Sequence, residues 1–193
     1  MIRIAEEADL PAMLAIYAPY VERTTVSFEY EVPSGETFAR RFHDITRQFP
    51  WLVWEENGRV LGYAYAARAF ERAGYSWCAE SSIYLCADAR GRGIGQKLYA
   101  VLEAILDAQG YCLLYALITE ENRASLRFHE KCGYSTVTVL PDCGRKFGRW
   151  LGLCWLEKRL KIGENPSAFP ISWKSIVQDA ETFRNILDSL SLS

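Results

Sequence analysis

Apolar and polar positions alternate between two periods along this chain. Ile2 and Ile4 mark a short strand; Leu10, Met13, Leu14, Ile16, Tyr17, Tyr20 and Val21 then recur as the stripe of one helix. Glu6-Glu7-Ala8-Asp9 precedes that stripe and offers its first amides negative charge and a cap. After a loop holding Thr24-Thr25-Val26-Ser27-Phe28, Ser34 caps a second helix reaching about residue 48. Trp51-Leu52-Val53-Trp54 and residues 60–67 read as strands joined through Glu56-Asn57-Gly58-Arg59, and Asn-Gly between apolar runs is a strong hairpin signal.

Residues 68–76 are polar and turn-like, and 77–86 read as a strand. A helix follows over 95–108, with Leu98, Val101, Leu102, Ile105 and Leu106 on one face and Gly110 as its stop. A strand over 112–118, a short helix from Asn122 to residue 131 ended by Gly133, and strands over 134–140 and 151–160 complete the pattern, with a loop around Gly144 and Gly148. The order β-α-α-β-β-β-α-β-α-β-β predicts an α/β domain of the α+β kind over residues 1–161, a mixed sheet covered by helices. Gly163-Glu164-Asn165-Pro166 breaks the pattern, and in the tail, 162–193, Ile176, Val177, Phe183, Ile186, Leu187 and Leu190 predict one amphipathic helix.

Composition narrows the function. The 193 residues, half hydrophobic and 13% aromatic, suffice for a globular core without covalent staples. Lys and Arg number 22 against 24 Asp and Glu, a formal charge of -2, so no broad basic face is expected for nucleic acid or an anionic membrane. No run of about 18 apolar residues marks a membrane span, and the first residues show no export signal. Cys78, Cys86, Cys112, Cys132, Cys143 and Cys154 are scattered without a Cys-x-x-Cys pair, which argues against a metal site and for reduced thiols in the cytoplasm.

Candidate chemistry concentrates in Arg90-Gly91-Arg92-Gly93-Ile94-Gly95, between a strand and a helix. Three glycines let the backbone approach a ligand closely, and unpaired amides at the helix start attract phosphate. A purely structural turn is the competing reading. The glycine spacing is not that of a dinucleotide fingerprint, and no Gly-Lys-Ser/Thr follows for a nucleotide P-loop.

Arg90-x-x-Gly93-x-Gly95 resembles the diphosphate loop of the GNAT acetyltransferases. Thr25-Val26-Ser27-Phe28, Tyr75-Ser76-Trp77-Cys78-Ala79-Glu80-Ser81, Leu98-Tyr99, Asn122, His129-Glu130 and Gly144-x-Lys146-x-Gly148-x-Trp150 resemble the phosphinothricin acetyltransferase branch, over residues 2–160. The resemblance implies the GNAT fold, a mostly antiparallel central sheet flanked by helices, with acetyl-CoA as co-substrate. Arg90, Gly91, Arg92, Gly93, Ile94, Gly95 and Gln96 would hold its diphosphate. Ile83, Tyr84 and Leu85, after a bulge in the central strand, and Asn122 would hold the pantetheine arm and the carbonyl oxygen. Core strand and helix N-cap are the plain readings of these same residues.

Acetyl transfer to an amine needs the amine neutral, the developing oxyanion held by preorganised donors, and the thiolate released. Glu80, in an apolar strand, is the candidate base and matches the branch's catalytic glutamate; a solvated strand residue is the alternative. His129 either assists proton removal or is a structural hydrogen-bonder. Tyr99 either returns a proton to the CoA thiolate or is a plain helix-face tyrosine. No cysteine has a histidine and acid in evident array, so direct attack in a ternary complex is expected.

Phe28, Arg72 and Tyr75 match the surroundings of the acceptor, which the resemblance implies to be an amino acid or analogue such as phosphinothricin, methionine sulfoximine or methionine sulfone. An arginine suits a carboxylate or phosphinyl oxygen, although Arg72 also reads as a loop charge. A homodimer is implied, with Trp150, Trp155 and the Lys146 loop as candidate contacts. A protein or peptide acceptor, or a CoA-binding sensor without catalysis, are the competing functions.

Overall fold

The computed structural model describes residues 1–161 and 168–191. The elements are β1 Ile2–Ile4, α1 Leu10–Arg23, α2 Gly35–Thr46, β2 Trp51–Glu56, β3 Arg59–Arg68, β4 Cys78–Leu85 and α3 Ile94–Gln109. They continue with β5 Leu113–Thr119, α4 Arg123–Lys131, β6 Ser135–Lys146, β7 Arg149–Arg159, α5 Trp173–Gln178 and α6 Ala180–Ser191. The strands form one seven-stranded sheet in the order β1-β2-β3-β4-β5-β7-β6, in which β4 and β5 are parallel and the other neighbours antiparallel. The mixed sheet and the order of elements are those the hydrophobic pattern predicts.

Strand alternation sends successive side chains to opposite faces, and both faces are covered. Leu52, Ala64, Ala66 and Ala79 pack with Leu98, Leu102, Ile105 and Leu106 of α3. Trp51, Val53 and Tyr63 pack on the other face with Met13, Tyr17, Phe38 and Phe42 of α1 and α2. Two cores on one sheet explain why β2 and β3 read as nearly continuous apolar runs.

The sheet opens in one place. Parallel pairing of β4 with β5 covers only Cys78, Ala79 and Glu80 against Leu113, Leu114 and Tyr115. Beyond those residues β4 stays paired with β3 to Leu85, and β5 stays paired with β7 to Thr119. Each strand follows its antiparallel neighbour, so the two diverge and leave a wedge at the sheet's centre. The expected bulge in β4 is absent: its register with β3 runs without a shift from Arg68↔Ala79 to Gly62↔Leu85. Divergence does the work assigned to the bulge.

Several boundaries differ from the sequence expectation. A 3-10 turn, Glu7–Asp9, precedes α1, and the Asp9 carboxylate caps nothing in that helix. It accepts instead from Arg3 at 2.7 and 2.8 Å and from the Glu6 amide. The loop expected around Gly144 and Gly148 is strand through Lys146, with a turn at Phe147 and Gly148, whose φ values of 49° and 75° suit a tight hairpin. Gly144 lies inside β6 because the Phe28 ring fills the place of its missing side chain; a Cβ there would stand 2.7 Å from that ring.

The tail forms two helices where the pattern suggested one. Asp179, with ψ of 94°, interrupts the helical path between α5 and α6. Both pack on α3, with Trp173 and Ile176 buried and the Trp173 indole donating to the Thr46 carbonyl at 2.9 Å. The Gly163-Glu164-Asn165-Pro166 break lies outside the described residues.

Candidate active site

The wedge holds a cavity of about 240 Å³. Alternation along β4 turns Glu80, Ser82 and Tyr84 toward α1 and α2, and Ser81 and Ile83 toward α3 and α4. All five line the cavity, so it reaches both faces of the sheet at the gap. Val26, Ser27 and Phe28 wall it on the first side; Tyr99, Asn122, Ser125 and His129 wall it on the second.

Backbone polarity at the gap follows from pairing. The Cys86 amide bonds the Leu61 carbonyl, so by antiparallel alternation Tyr84 and Ser82 also bond β3, while Leu85 and Ile83 turn their amides the other way. Leu85 is already satisfied, since the Tyr20 hydroxyl accepts from its N–H at 3.2 Å and donates to its carbonyl. Ile83 lies past the last β4–β5 pair, so its amide faces the gap. Of Ile83, Tyr84 and Leu85, Ile83 is the residue placed to bond a ligand in the wedge.

Glu80 lies in the wall of the cavity with no hydrogen-bond or ion-pair partner among the described residues. Burial alone raises its pKa above the ordinary carboxylate value. His129 is different. It is 3% exposed, and its Nδ1 lies 2.9 Å from the Ser125 carbonyl oxygen, one turn earlier in α4. A carbonyl only accepts, so Nδ1 carries the proton and Nε2 accepts from the Tyr99 hydroxyl at 3.0 Å. Burial lowers the His129 pKa to about 4. Tyr99, 1% exposed, is raised far above the usual phenol value by the same desolvation. Asn122 both lines the cavity and caps α4, its side-chain oxygen accepting from the Ser125 amide at 3.2 Å.

A second hollow, about 340 Å³, lies along the start of α3, bounded by Leu85 at the end of β4. Gly91 and Gly93 take φ of 75° and 76°, a region that penalises any side chain. Gly93 is the N-cap and no side chain caps α3, so its first amides are available to an anion. A Cβ on Gly95 would stand 3.0 Å from the Phe128 ring, so that glycine lets α3 and α4 close together. Gln96 and Ile94 line the hollow as expected. Arg90 does not: its guanidinium sits 5.2 Å over the Tyr20 ring. Arg92 pairs with Glu56 at 2.8 Å. The basic groups facing this hollow are Arg127 and Lys131 of α4, which the sequence reading missed although their four-residue spacing on a helix puts them on one face. Uncapped amides and two cations in this hollow fit a diphosphate.

Arg72 and Tyr75 lie apart from the cleft. They belong to the exposed turn before β4, where Tyr75 is 48% exposed and packs on Phe70 at 4.9 Å. Lys146, expected near a subunit contact, is 1% exposed inside its own chain. Its ammonium donates to the carbonyls of Val21 at 2.6 Å and Ser27 at 2.5 Å, tying β6 to the loop that carries Phe28. Trp150 is 61% exposed, whereas Trp155 packs on Phe70. Among the described residues, no His, Cys, Asp or Glu group is arranged to hold a metal.

The chain is similar to known proteins over most of its length. The family profile described as an acetyltransferase (GNAT) domain matches residues 2–155. Phosphinothricin N-acetyltransferase of Alcaligenes faecalis is 38% identical over 166 residues, 84% of each chain. The L-methionine sulfoximine/L-methionine sulfone acetyltransferase of Pseudomonas aeruginosa is 38% identical over 164 residues, 82% of this chain and 94% of that one. Among solved structures, a GNAT superfamily phosphinothricin acetyltransferase from Sinorhizobium meliloti in complex with AcCoA superposes with a TM-score of 0.82 at 34% identity, covering 89% of this chain and 92% of the other. With the split sheet, the uncapped glycine loop and this match over most of its length, the chain belongs to the GNAT family of acetyltransferases.

Proposed function

We propose that this protein transfers acetyl from acetyl-CoA to the α-amine of a small amino acid or analogue, of the phosphinothricin, methionine sulfoximine or methionine sulfone type. The observation that carries the reading is the through-sheet wedge, where an unpartnered carboxyl and a free backbone amide line one cavity from its two sides. The diphosphate lies on the amides from Gly93 to Gln96 with Arg127 and Lys131 beside it, and the arm follows the α3–α4 side to Ile83. The acceptor enters on the α1–α2 side against Val26, Ser27 and Phe28.

Glu80 takes the ammonium proton, directly or through water, and burial makes it a stronger base than an exposed carboxylate. The Ile83 N–H holds the carbonyl oxygen as it becomes an oxyanion. His129, with both nitrogens engaged, is a positioning residue that holds Tyr99 at the wedge, and Tyr99 returns a proton to the thiolate. Attack is direct, without an acyl-cysteine. The protein works in the cytoplasm, where its cysteines stay reduced. It works as a homodimer, for which exposed Phe147 and Trp150 at the β6–β7 turn offer apolar surface.

Thiol release from acetyl-CoA, followed with amino acids, the three analogues and short peptides, tests the reading. Turnover with an amino acid or analogue above that with peptides is expected. CoA binding without thiol release toward any amine would favour a sensor, and preferred peptide turnover would favour a protein acceptor.

A further inference from the structure

Past Glu80 the edge of β4 that faces the gap presents the main-chain groups of Ile83 and Leu85, and no strand pairs with them there. Leu85 also has open space on both faces. The hollow at the start of α3 borders it on one side, and a hollow of about 530 Å³ against α1 borders it on the other. A strand end in that position frays unless its polar groups are met. One side chain meets both. The Tyr20 hydroxyl of α1 donates to the Leu85 carbonyl at 2.5 Å and accepts from the Leu85 N–H at 3.2 Å. A single oxygen thus makes the two bonds that a neighbouring strand would make.

The ring that carries this hydroxyl is itself held. It stands edge-to-face with Tyr84 at 5.2 Å, and Tyr84 packs in turn on Tyr17 and Tyr63. The Arg90 guanidinium covers it at 5.2 Å. Thr24 Oγ1 donates to the Tyr20 carbonyl at 2.7 Å and Lys146 to the Val21 carbonyl at 2.6 Å, so the last turn of α1 is pinned as well. Ile83 therefore lies between two fixed points. Glu80 on one side is paired with Tyr115 of β5, and Leu85 on the other is tied to α1. The Ile83 amide stays unpaired without being free to swing, which is what a preorganised donor requires.

Building on the acetyl-transfer reading, in which the Ile83 N–H holds the carbonyl oxygen, we propose that Tyr20 is the positioning residue for that amide. Its hydroxyl takes the place of β5 at Leu85, leaves β5 nothing to pair with there, and so keeps the wedge open. With Leu85 held, β4 stays extended past its last pair with β5 and aims the Ile83 N–H into the gap. Tyr20 acts through the backbone of β4 and not on the reacting atoms.

Tyr20→Phe removes the hydroxyl and keeps the ring against Tyr84 and Arg90. With the best acceptor from the thiol-release panel it is expected to lower kcat about tenfold, less than outright loss of an oxyanion donor costs, with KM for acetyl-CoA within about twofold of wild type. Infrared spectra of acetyl-CoA, isotope-labelled at the thioester carbonyl and bound without acceptor, give the second readout. The carbonyl stretch should lie below its free value in wild type and move back toward it in Tyr20→Phe; a tether that only stabilised the fold would leave it unmoved. Amide exchange of the unliganded wild type, which needs no variant, should show Leu85 protected and Ile83 open. An unchanged kcat, an unchanged stretch, a lowered KM for acetyl-CoA or fast exchange at Leu85 would overturn the role of Tyr20, while wild-type turnover upholds acetyl transfer. Absence of wild-type turnover with every amine would overturn that reading and this role together.

Discussion

Glu80 and His129 border one cavity from opposite faces of the sheet, one half-buried and the other buried, and their surroundings differ in kind. Glu80 has no partner among the described residues, and desolvation alone raises its pKa. His129 has both ring nitrogens occupied, by the Ser125 carbonyl and the Tyr99 hydroxyl, and its pKa falls to about 4. A base must be free to receive a proton and must hold it weakly enough to lose it again. Glu80 meets that condition; His129 gives up no hydrogen bond cheaply and fixes the tyrosine beside it. Desolvation thus produces a reagent in one place and a scaffold in the other, according to whether a partner is supplied.

The sharpest way to break this contrast is Glu80→Gln, which keeps shape and removes basicity. It should lower kcat about a thousandfold, in the range for loss of general base catalysis, and abolish an acid limb of the rate profile that in wild type lies above the ordinary carboxylate range. Thiol-release rates measured from pH 5 to 9 check both outcomes.

For His129 the expected signature is in stability. Its folded pKa is depressed below the unfolded value, so the unfolded chain binds the extra proton first. The contribution is complete above about pH 6.5 and is lost as pH falls toward 4, by about 3 kcal/mol. Urea melts across that window should show the slope, and His129→Gln should remove it.

Two smaller effects separate the walls of the cavity. Lys146→Met leaves the buried carbonyls of Val21 and Ser27 without a donor, at about 2 kcal/mol, and loosens the Phe28 loop. Thermal melts should show lower stability, and kinetics a raised acceptor KM with an unchanged KM for acetyl-CoA. Gly93→Ala, at φ of 76°, costs about 1 kcal/mol of backbone strain and acts on the other side, raising the KM for acetyl-CoA severalfold without moving the acid limb.

The elements themselves were legible because their causes are local. The α1 and α3 stripes, the Asn57-Gly58 turn and the Asn122 cap each depend on residues a few positions apart. The glycine loop and Glu80 were equally legible, through backbone freedom and through a charge set in an apolar strand. What escaped depends on partners distant in sequence. The parting of β4 from β5 comes from the stronger pairing of each with its antiparallel neighbour, which neither strand's composition records. The Lys146 loop read as a candidate subunit contact because the carbonyl partners of Lys146 are 125 and 119 positions away. His129 is the instructive middle case: Ser125, one helical turn earlier, was visible in the sequence, but Tyr99 came from another helix.

A crystal structure of the protein with acetyl-CoA tests the central claim most directly. The account predicts the diphosphate on the amides from Gly93 to Gln96 and the thioester carbonyl on the Ile83 N–H, with the acetyl carbon facing Glu80 across the gap between β4 and β5. A thioester lying outside that gap, or a bound arm that seals Glu80 away from the acceptor side, would contradict it.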